Sequence, residues 1–260
     1  MTKINIQGLE WDKKSSFQQG PAKAPALIRK ALYSDSMNLY AENGISIENE
    51  SVTDKGDFKI DDYFGIENIT QNHLASGAKL LSFGGDHSVT FPIIKAFHQH
   101  YPKLDILHID AHADLYHDYE GDPYSHACPF ARIMEKGFAV NLVQVGIRTL
   151  NPHQAEQATK FGVEIHEMRN LDLTKIPKFD NPLYISLDMD GFDPAYAPGV
   201  SHHEPGGLSS RQVINLIQNI EATVVGADIV EYNPDRDVND MTAYLAAKMA
   251  KELLAKMRIK

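Results

Sequence analysis

The chain has 260 residues and a mass of 29.0 kDa, above the usual one-domain range of about 100 to 200 residues but within the roughly 250 that α/β folds reach as one unit. A chain of this length with 43% hydrophobic residues can build a core without disulfides or a structural metal, so any metal would serve function. The balance of 25 basic against 35 acidic residues, net -10, excludes a nucleic-acid partner that needs a dense Lys/Arg face.

The N-terminal MTKINIQGLEWDKKSS has no long apolar core, and no stretch approaches the roughly 18 uncharged apolar residues of a spanning helix. No membrane partner is expected. The lone cysteine, Cys128, excludes an intrachain disulfide framework and suggests a reducing, cytoplasmic address. The segment Glu42 to Glu67 is the most polar and irregular and reads as a surface excursion. After it, short apolar runs at Lys79 to Phe83, Leu104 to Asp110, Leu142 to Gly146, Leu183 to Asp188 and Val224 to Val230 read as buried parallel strands. Helical patterns fall between and after them, at about Thr90 to His100, His126 to Lys136, Pro152 to Phe161, Ser209 to Ala222 and Asp240 to Met257. This alternation predicts a single α/β domain over 1–260, a three-layer α/β/α with a mostly parallel central sheet, and places ligands beyond the carboxyl ends of the strands.

Three polar clusters sit at such ends. Gly84-Gly85-Asp86-His87-Ser88 follows the first run, where two glycines permit a sharp turn and close approach to a ligand. Asp110-Ala111-His112-Ala113-Asp114 leaves the second; in an extended chain its carboxylate, imidazole and carboxylate share one face. Asp188 and Asp190 leave the fourth, two residues apart, before an Asp193-Pro194 turn. Apolar strands delivering this much like charge need a cation to compensate the desolvation. His87, Asp110, His112, Asp114, Asp188 and Asp190 exceed the four positions of one Zn²⁺, so two metals are expected, and the carboxylate-rich set suits Mn²⁺ first, with Zn²⁺, Co²⁺ and Ni²⁺ as alternatives that affinity order does not reject. Four aspartates cancel two divalent cations, and no Lys or Arg is interleaved to hold an anion. Such a centre attracts a cationic substrate and disfavours a two-metal phosphoesterase.

These segments, GGDHS, DAHAD and SLDMDGFDP, with the early QQGPAKAPALIRKAL, resemble the ureohydrolases, the arginase and agmatinase family, over nearly the whole chain. YSHACPFARIMEKG, APGVSHHEPGGLSSRQV and VVGADIVEYNPDRD look most like the plant-type arginases. The resemblance implies a dinuclear manganese centre, a small cationic guanidino substrate, urea as product and a homo-oligomer, trimer or hexamer. It implies that His87, Asp110, Asp114 and Asp188 hold one metal and Asp110, His112, Asp188 and Asp190 the other, with a bridging hydroxide attacking the guanidino carbon. It further implies that Asp114 hydrogen-bonds the hydroxide, that Glu231 binds the guanidinium and that His126 shuttles protons. L-Arginine is the first substrate expected and agmatine the second, with guanidinobutyrate, proclavaminate-type substrates, guanidine and formiminoglutamate more distant. A noncatalytic relative and a mononuclear deacetylase are the readings from other classes.

The loop Tyr116 to Ser125 is expected to line the substrate's far end, with Ser125 receiving an α-carboxylate and Asp122 opposing it, because the loop carries Asp118, Glu120 and Asp122 and no Lys or Arg. The resemblance gives His202-His203 to the substrate entrance and to no metal. Cys128, Met134 and Met168 read as packing residues, and His108 reads as a buried structural histidine first and, because it shares a face with Asp110, as a support for that ligand second.

Overall fold

The five apolar runs are the middle of one sheet, and their residues are buried because helices cover both faces. In the computed structural model, which describes residues 2–259, the strands are β1 (Ile4–Glu10), β2 (Val52–Lys59), β3 (Lys79–Phe83), β4 (Asp105–Ile109), β5 (Asn141–Ile147), β6 (Glu164–Glu167), β7 (Leu183–Asp188) and β8 (Val224–Val230). They form one sheet in the order β2-β1-β3-β8-β7-β4-β5-β6, every pair parallel. The helices are α1 (Ala24–Leu32), α2 (Gly65–Leu74), α3 (Thr90–His100), α4 (Pro129–Glu135), α5 (Pro152–Phe161), α6 (Ser210–Asn219) and α7 (Met241–Arg258). Alternate strand residues feed two cores. Leu81, Leu107, Ile185 and Ala227 pack with α1, α6 and α7, whereas Leu80, Ile106, Tyr184 and Val225 pack with α2, α3, α4 and α5. Burial on both faces is why the runs are continuously apolar rather than alternating. The expected three-layer α/β/α architecture is borne out.

The edges differ from expectation. Inside the supposed surface excursion, Val52–Lys59 pairs with β1 as an edge strand. Its sequence, VTDKGDFK, is charged and mostly exposed, which protects an edge from pairing with other chains but hides the strand from a search for apolar runs. The other edge, β6, reads EIHE for the same reason. In β1, Asn5 and Gln7 interrupt the apolar run although both are buried. The helix expected from His126 begins only at Pro129, which occupies its first turn. His126 therefore stands in the preceding loop. The helix expected from Ser209 starts there as a capping box, Ser209 with Gln212, and stops at Asn219.

Candidate metal centre

The four central neighbours β3, β8, β7 and β4 carry the polar clusters at their carboxyl ends. Insertion of β8 and β7 between β3 and β4 brings Glu231, which follows the last strand, beside His87, which follows the third. Each turn has its own local cause. Asp86 caps the 3-10 turn His87–Val89 by accepting from Ser88 N at 3.1 Å. The expected sharp turn is present as a bend at Gly85 and Asp86, made without positive φ at either glycine; Gly85 is needed because a Cβ there would stand 1.5 Å from the Trp11 carbonyl oxygen. The extended array Asp110 to Asp114 is corrected. Strand β4 ends at Ile109, and the run curls, with Asp114 at φ 49° and Asp110 Oδ1 accepting from His112 N at 2.6 Å. An aspartate tolerates this left-handed backbone better than most residues. Asp188 closes β7, and its Oδ1 accepts from Asp190 N at 2.7 Å across a 3-10 turn.

All six expected ligands converge. His87 Nδ1 lies 3.2 Å from Asp110 Oδ2, 3.1 Å from Asp114 Oδ2 and 3.0 Å from Asp188 Oδ2. His112 Nδ1 lies 3.1 Å from Asp190 Oδ2 and 3.4 Å from Asp110 Oδ1. Asp110 thus offers one oxygen to each histidine. His87 Nδ1 is buried with no well-formed hydrogen bond among the described residues, although carboxylate oxygens surround it. A lone pair facing three anionic oxygens is repulsive without a cation, so the donor set fits a pair of divalent ions. The charge economy says the same. Burial alone would depress the His87 and His112 pKa values, but the adjoining aspartates hold both well above the usual imidazole range. Burial, with Asp110 and Asp190 beside it, raises Asp188 well above the carboxylate range, and burial lifts Asp190 to about 6.

Of a row of polar residues beneath the site, only His108 was singled out by the sequence reading. Gln7, Ser82, Asp228, Ser186, His108 and Gln144 sit in register across β1, β3, β8, β7, β4 and β5, all fully buried. His87 Nε2 meets Ser186 Oγ at 3.0 Å, and that hydroxyl donates to Asp228 Oδ1 at 2.7 Å. Asp228 Oδ2 accepts from Thr90 Oγ1 at 2.8 Å and Tyr184 OH at 2.9 Å. Because the Ser186 proton is committed to Asp228, His87 Nε2 donates, which leaves Nδ1 as the ligand atom. His108 takes the second of its two expected roles, as a support for Asp110. Gln144 Nε2 donates to its Nδ1 at 3.0 Å, so Nε2 donates to Asp110 Oδ2 at 2.7 Å and orients that carboxylate. His108 is close enough to its neighbours to count as a ligand, but both ring nitrogens are already used.

A cavity of about 250 Å³ opens over the centre, lined by His112, Asp114, Asp188, Asp190, His126 and Glu231, with Ser16, Tyr116, Tyr119, His202 and Glu204 among its other walls. Among the described residues no Lys or Arg lines it. Glu231 has φ 61°, and its Oε1 accepts from His87 N at 2.8 Å and His126 Nδ1 at 2.7 Å. The loop Tyr116 to Ser125 contributes two of its three tyrosines, Tyr116 and Tyr119, but Ser125 and Asp122 are not wall residues. Ser125 is buried, its hydroxyl 3.4 Å from Ala127 N, and Asp122 is paired with Lys14 Nζ at 2.5 Å. The expected unopposed carboxylate at Asp122 is therefore corrected. Its cation comes from the N-terminal segment, which counting charges within the loop could not reveal. His202 is a wall residue as expected, and Cys128 is buried.

A family model described as the Arginase family matches residues 2–255. The chain is 45% identical to a mitochondrial arginase of Medicago truncatula over 97% of this chain and 81% of that protein. It is 33% identical to an agmatinase of Bacillus anthracis over 97% and 91% respectively. A solved arginase structure from Medicago truncatula superimposes with a TM-score of 0.92 at 43% identity, covering 98% of this chain and 87% of that one. These relatives overturn the cytoplasmic expectation. The Medicago arginase and its counterparts in Arabidopsis thaliana and Oryza sativa subsp. indica are named mitochondrial. A lone cysteine separates reducing from oxidising surroundings and does not distinguish one reducing compartment from another.

Proposed function

The chain belongs to the Arginase family, and from that premise we propose that it hydrolyses L-arginine to ornithine and urea with two Mn²⁺ ions. One ion would be held by His87, Asp110, Asp114 and Asp188, the other by Asp110, His112, Asp188 and Asp190. The observation that carries this reading is Asp110, which aims one oxygen at the His87 group and the other at the His112 group. The higher identity to the plant arginase than to the agmatinase, 45% against 33%, supports arginine. The family match over residues 2–255 supports one ureohydrolase domain.

When bound, the ion pair supplies a water acidic enough to attack a guanidino carbon near neutral pH. The chain's own residues do the rest. Asp114 reaches both the His87 group and the cavity, so it can take the proton of the attacking water and hand it to the departing nitrogen. Glu231, with Oε1 tethered by His87 N and His126, would turn its carboxylate charge to the guanidinium and hold it in the cavity by a charge-assisted contact. His126 exchanges protons with solvent through its other nitrogen. The acidic walls attract a cation and repel phosphate.

Agmatine is the second reading, favoured by one feature: among the described residues no Lys or Arg lines the cavity to receive an α-carboxylate. The test is urea release by Mn²⁺-loaded protein on arginine, agmatine, guanidinobutyrate and guanidine side by side. Silence on all four refutes the assignment. A trimer or hexamer belongs to the same proposal, supported by exposed Val238, Met241 and Tyr244 around the start of α7, and sedimentation tests it.

A further inference from the structure

The N-terminal segment grips His126 from two sides. The His126 N–H donates to the Lys14 carbonyl at 3.2 Å. On the ring, Nε2 lies 3.1 Å from Ser16 N and 2.8 Å from Ser16 Oγ. The segment is itself anchored: Asp86 Oδ2 accepts from Lys14 N at 2.9 Å, Lys14 Nζ pairs with Asp122, and Asp12 Oδ2 accepts from Gly20 N at 2.7 Å. Ser16 lines the cavity, while the next residue, Phe17, packs on His202 with ring centroids 5.6 Å apart.

We infer that Ser16 is a positioning residue for His126, holding the imidazole against Glu231 in both of its protonation states. The inference rests on the shuttle role proposed for His126. A carboxylate only accepts, so Nδ1 keeps its proton toward Glu231 and all proton traffic falls to Nε2. With the ring neutral, Ser16 donates to the Nε2 lone pair from its amide and its hydroxyl. When Nε2 takes a proton, the backbone N–H can no longer serve, but the hydroxyl rotates and accepts. Ser16 is thus the one group at Nε2 that can bond both forms. A proton shuttle needs this, because a ring that swings free after charging must be repositioned before the next turnover. Alanine at position 16, with only its backbone N–H, could serve only the neutral form.

The experiment is a kcat and KM comparison of wild type, Ser16→Ala, Ser16→Thr, His126→Ala and Ser16→Ala/His126→Ala, all Mn²⁺-loaded, with metal content, and the ¹⁵N shifts of the His126 ring in protein carrying diamagnetic Zn²⁺, as further readouts. Ser16→Ala should lower kcat about three- to tenfold, the scale of one hydrogen bond, with KM and metal content unchanged and broadened ring signals. Ser16→Thr should restore kcat. In the His126→Ala background the serine change should have no further effect. Unaltered kcat in Ser16→Ala beside a crippled His126→Ala overturns the inference alone, as does an effect that persists without the imidazole. Full turnover in His126→Ala instead removes the shuttle reading, and the role of Ser16 with it.

Discussion

His126 Nδ1 and Glu231 Oε1 are bonded at 2.7 Å in a buried contact, so the residue proposed for proton transfer and the one proposed for the guanidinium share one carboxylate. Burial would lower the His126 pKa, but the Glu231 charge outweighs it and lifts the value to about 9. In return, burial would raise Glu231, and His126 holds it below the ordinary carboxylate value. A guanidinium arriving at Glu231 competes for the same charge. Substrate binding should therefore loosen the proton on His126, which ties the proton path to occupancy of the site.

Glu231→Gln tests this sharing. A neutral amide cannot provide the charge-assisted contact, and one of its ends donates. The expected loss in kcat/KM is about 1.5 to 3 kcal/mol, the scale of a hydrogen bond to a charged group. The His126 pKa should fall toward its ordinary value at the same time. Wild-type efficiency would place the guanidinium elsewhere.

Metal uptake should depend on pH with a definite sign. With no cation between them, His87 and His112 are held well above the usual imidazole range by the aspartates, so each must shed a proton to offer its lone pair. Loading of chelator-stripped protein should release protons into a weakly buffered solution near neutral pH, and apparent affinity should rise as pH rises. The His126–Glu231 pair has its own window in stripped protein. Because the His126 pKa is raised, its stabilising contribution is fully present below about 6.5 and is lost as pH rises through about 9. Uptake without proton release would contradict the ligand assignment.

The polar row yields a prediction that no ligand residue does. In Asp228→Asn the amide can still meet Ser186, but it no longer compels the Ser186 proton outward, so His87 loses the constraint that leaves Nδ1 free. Metal affinity should drop about 10- to 100-fold, the usual cost of altering a group behind a ligand, while the far-ultraviolet circular dichroism is retained. Equilibrium dialysis measures the first. Unchanged affinity would leave the row a packing feature only.

The central strands and the six converging donors were legible because each strand end spells its polar cluster beside an apolar run, as in LHID-AHAD. The edge strands β2 and β6 were not, since an edge gains from charge what it loses in apolar signal. The polar row was hidden for a different reason: Ser82, Ser186 and Asp228 become neighbours only once the register of three separate strands is known. The curl at Asp114 was also out of reach, because alternating residues suggest an extended face whether or not the strand continues.

Long-range pairing also changes what Asp122 can do for substrate choice. Within its own loop Asp122 is one of three acids without a cation, which suggests repulsion of an α-carboxylate and a gain for arginine on neutralisation. Its partner lies 108 residues earlier: Lys14 Nζ at 2.5 Å, with Asp122 Oδ1 also accepting from Tyr124 N at 2.9 Å. Both oxygens are engaged, and the side chain does not line the cavity. A neutralised carboxylate exerts little field on a substrate, and a partly exposed pair is screened further. Asp122→Asn should therefore leave the arginine-to-agmatine ratio of kcat/KM within about twofold even at low salt. What it removes is an anchor of the segment that carries Ser16, so any loss should appear in kcat for both substrates alike. A ratio that instead shifts several-fold toward arginine would mean that the Asp122 charge reaches the substrate despite Lys14.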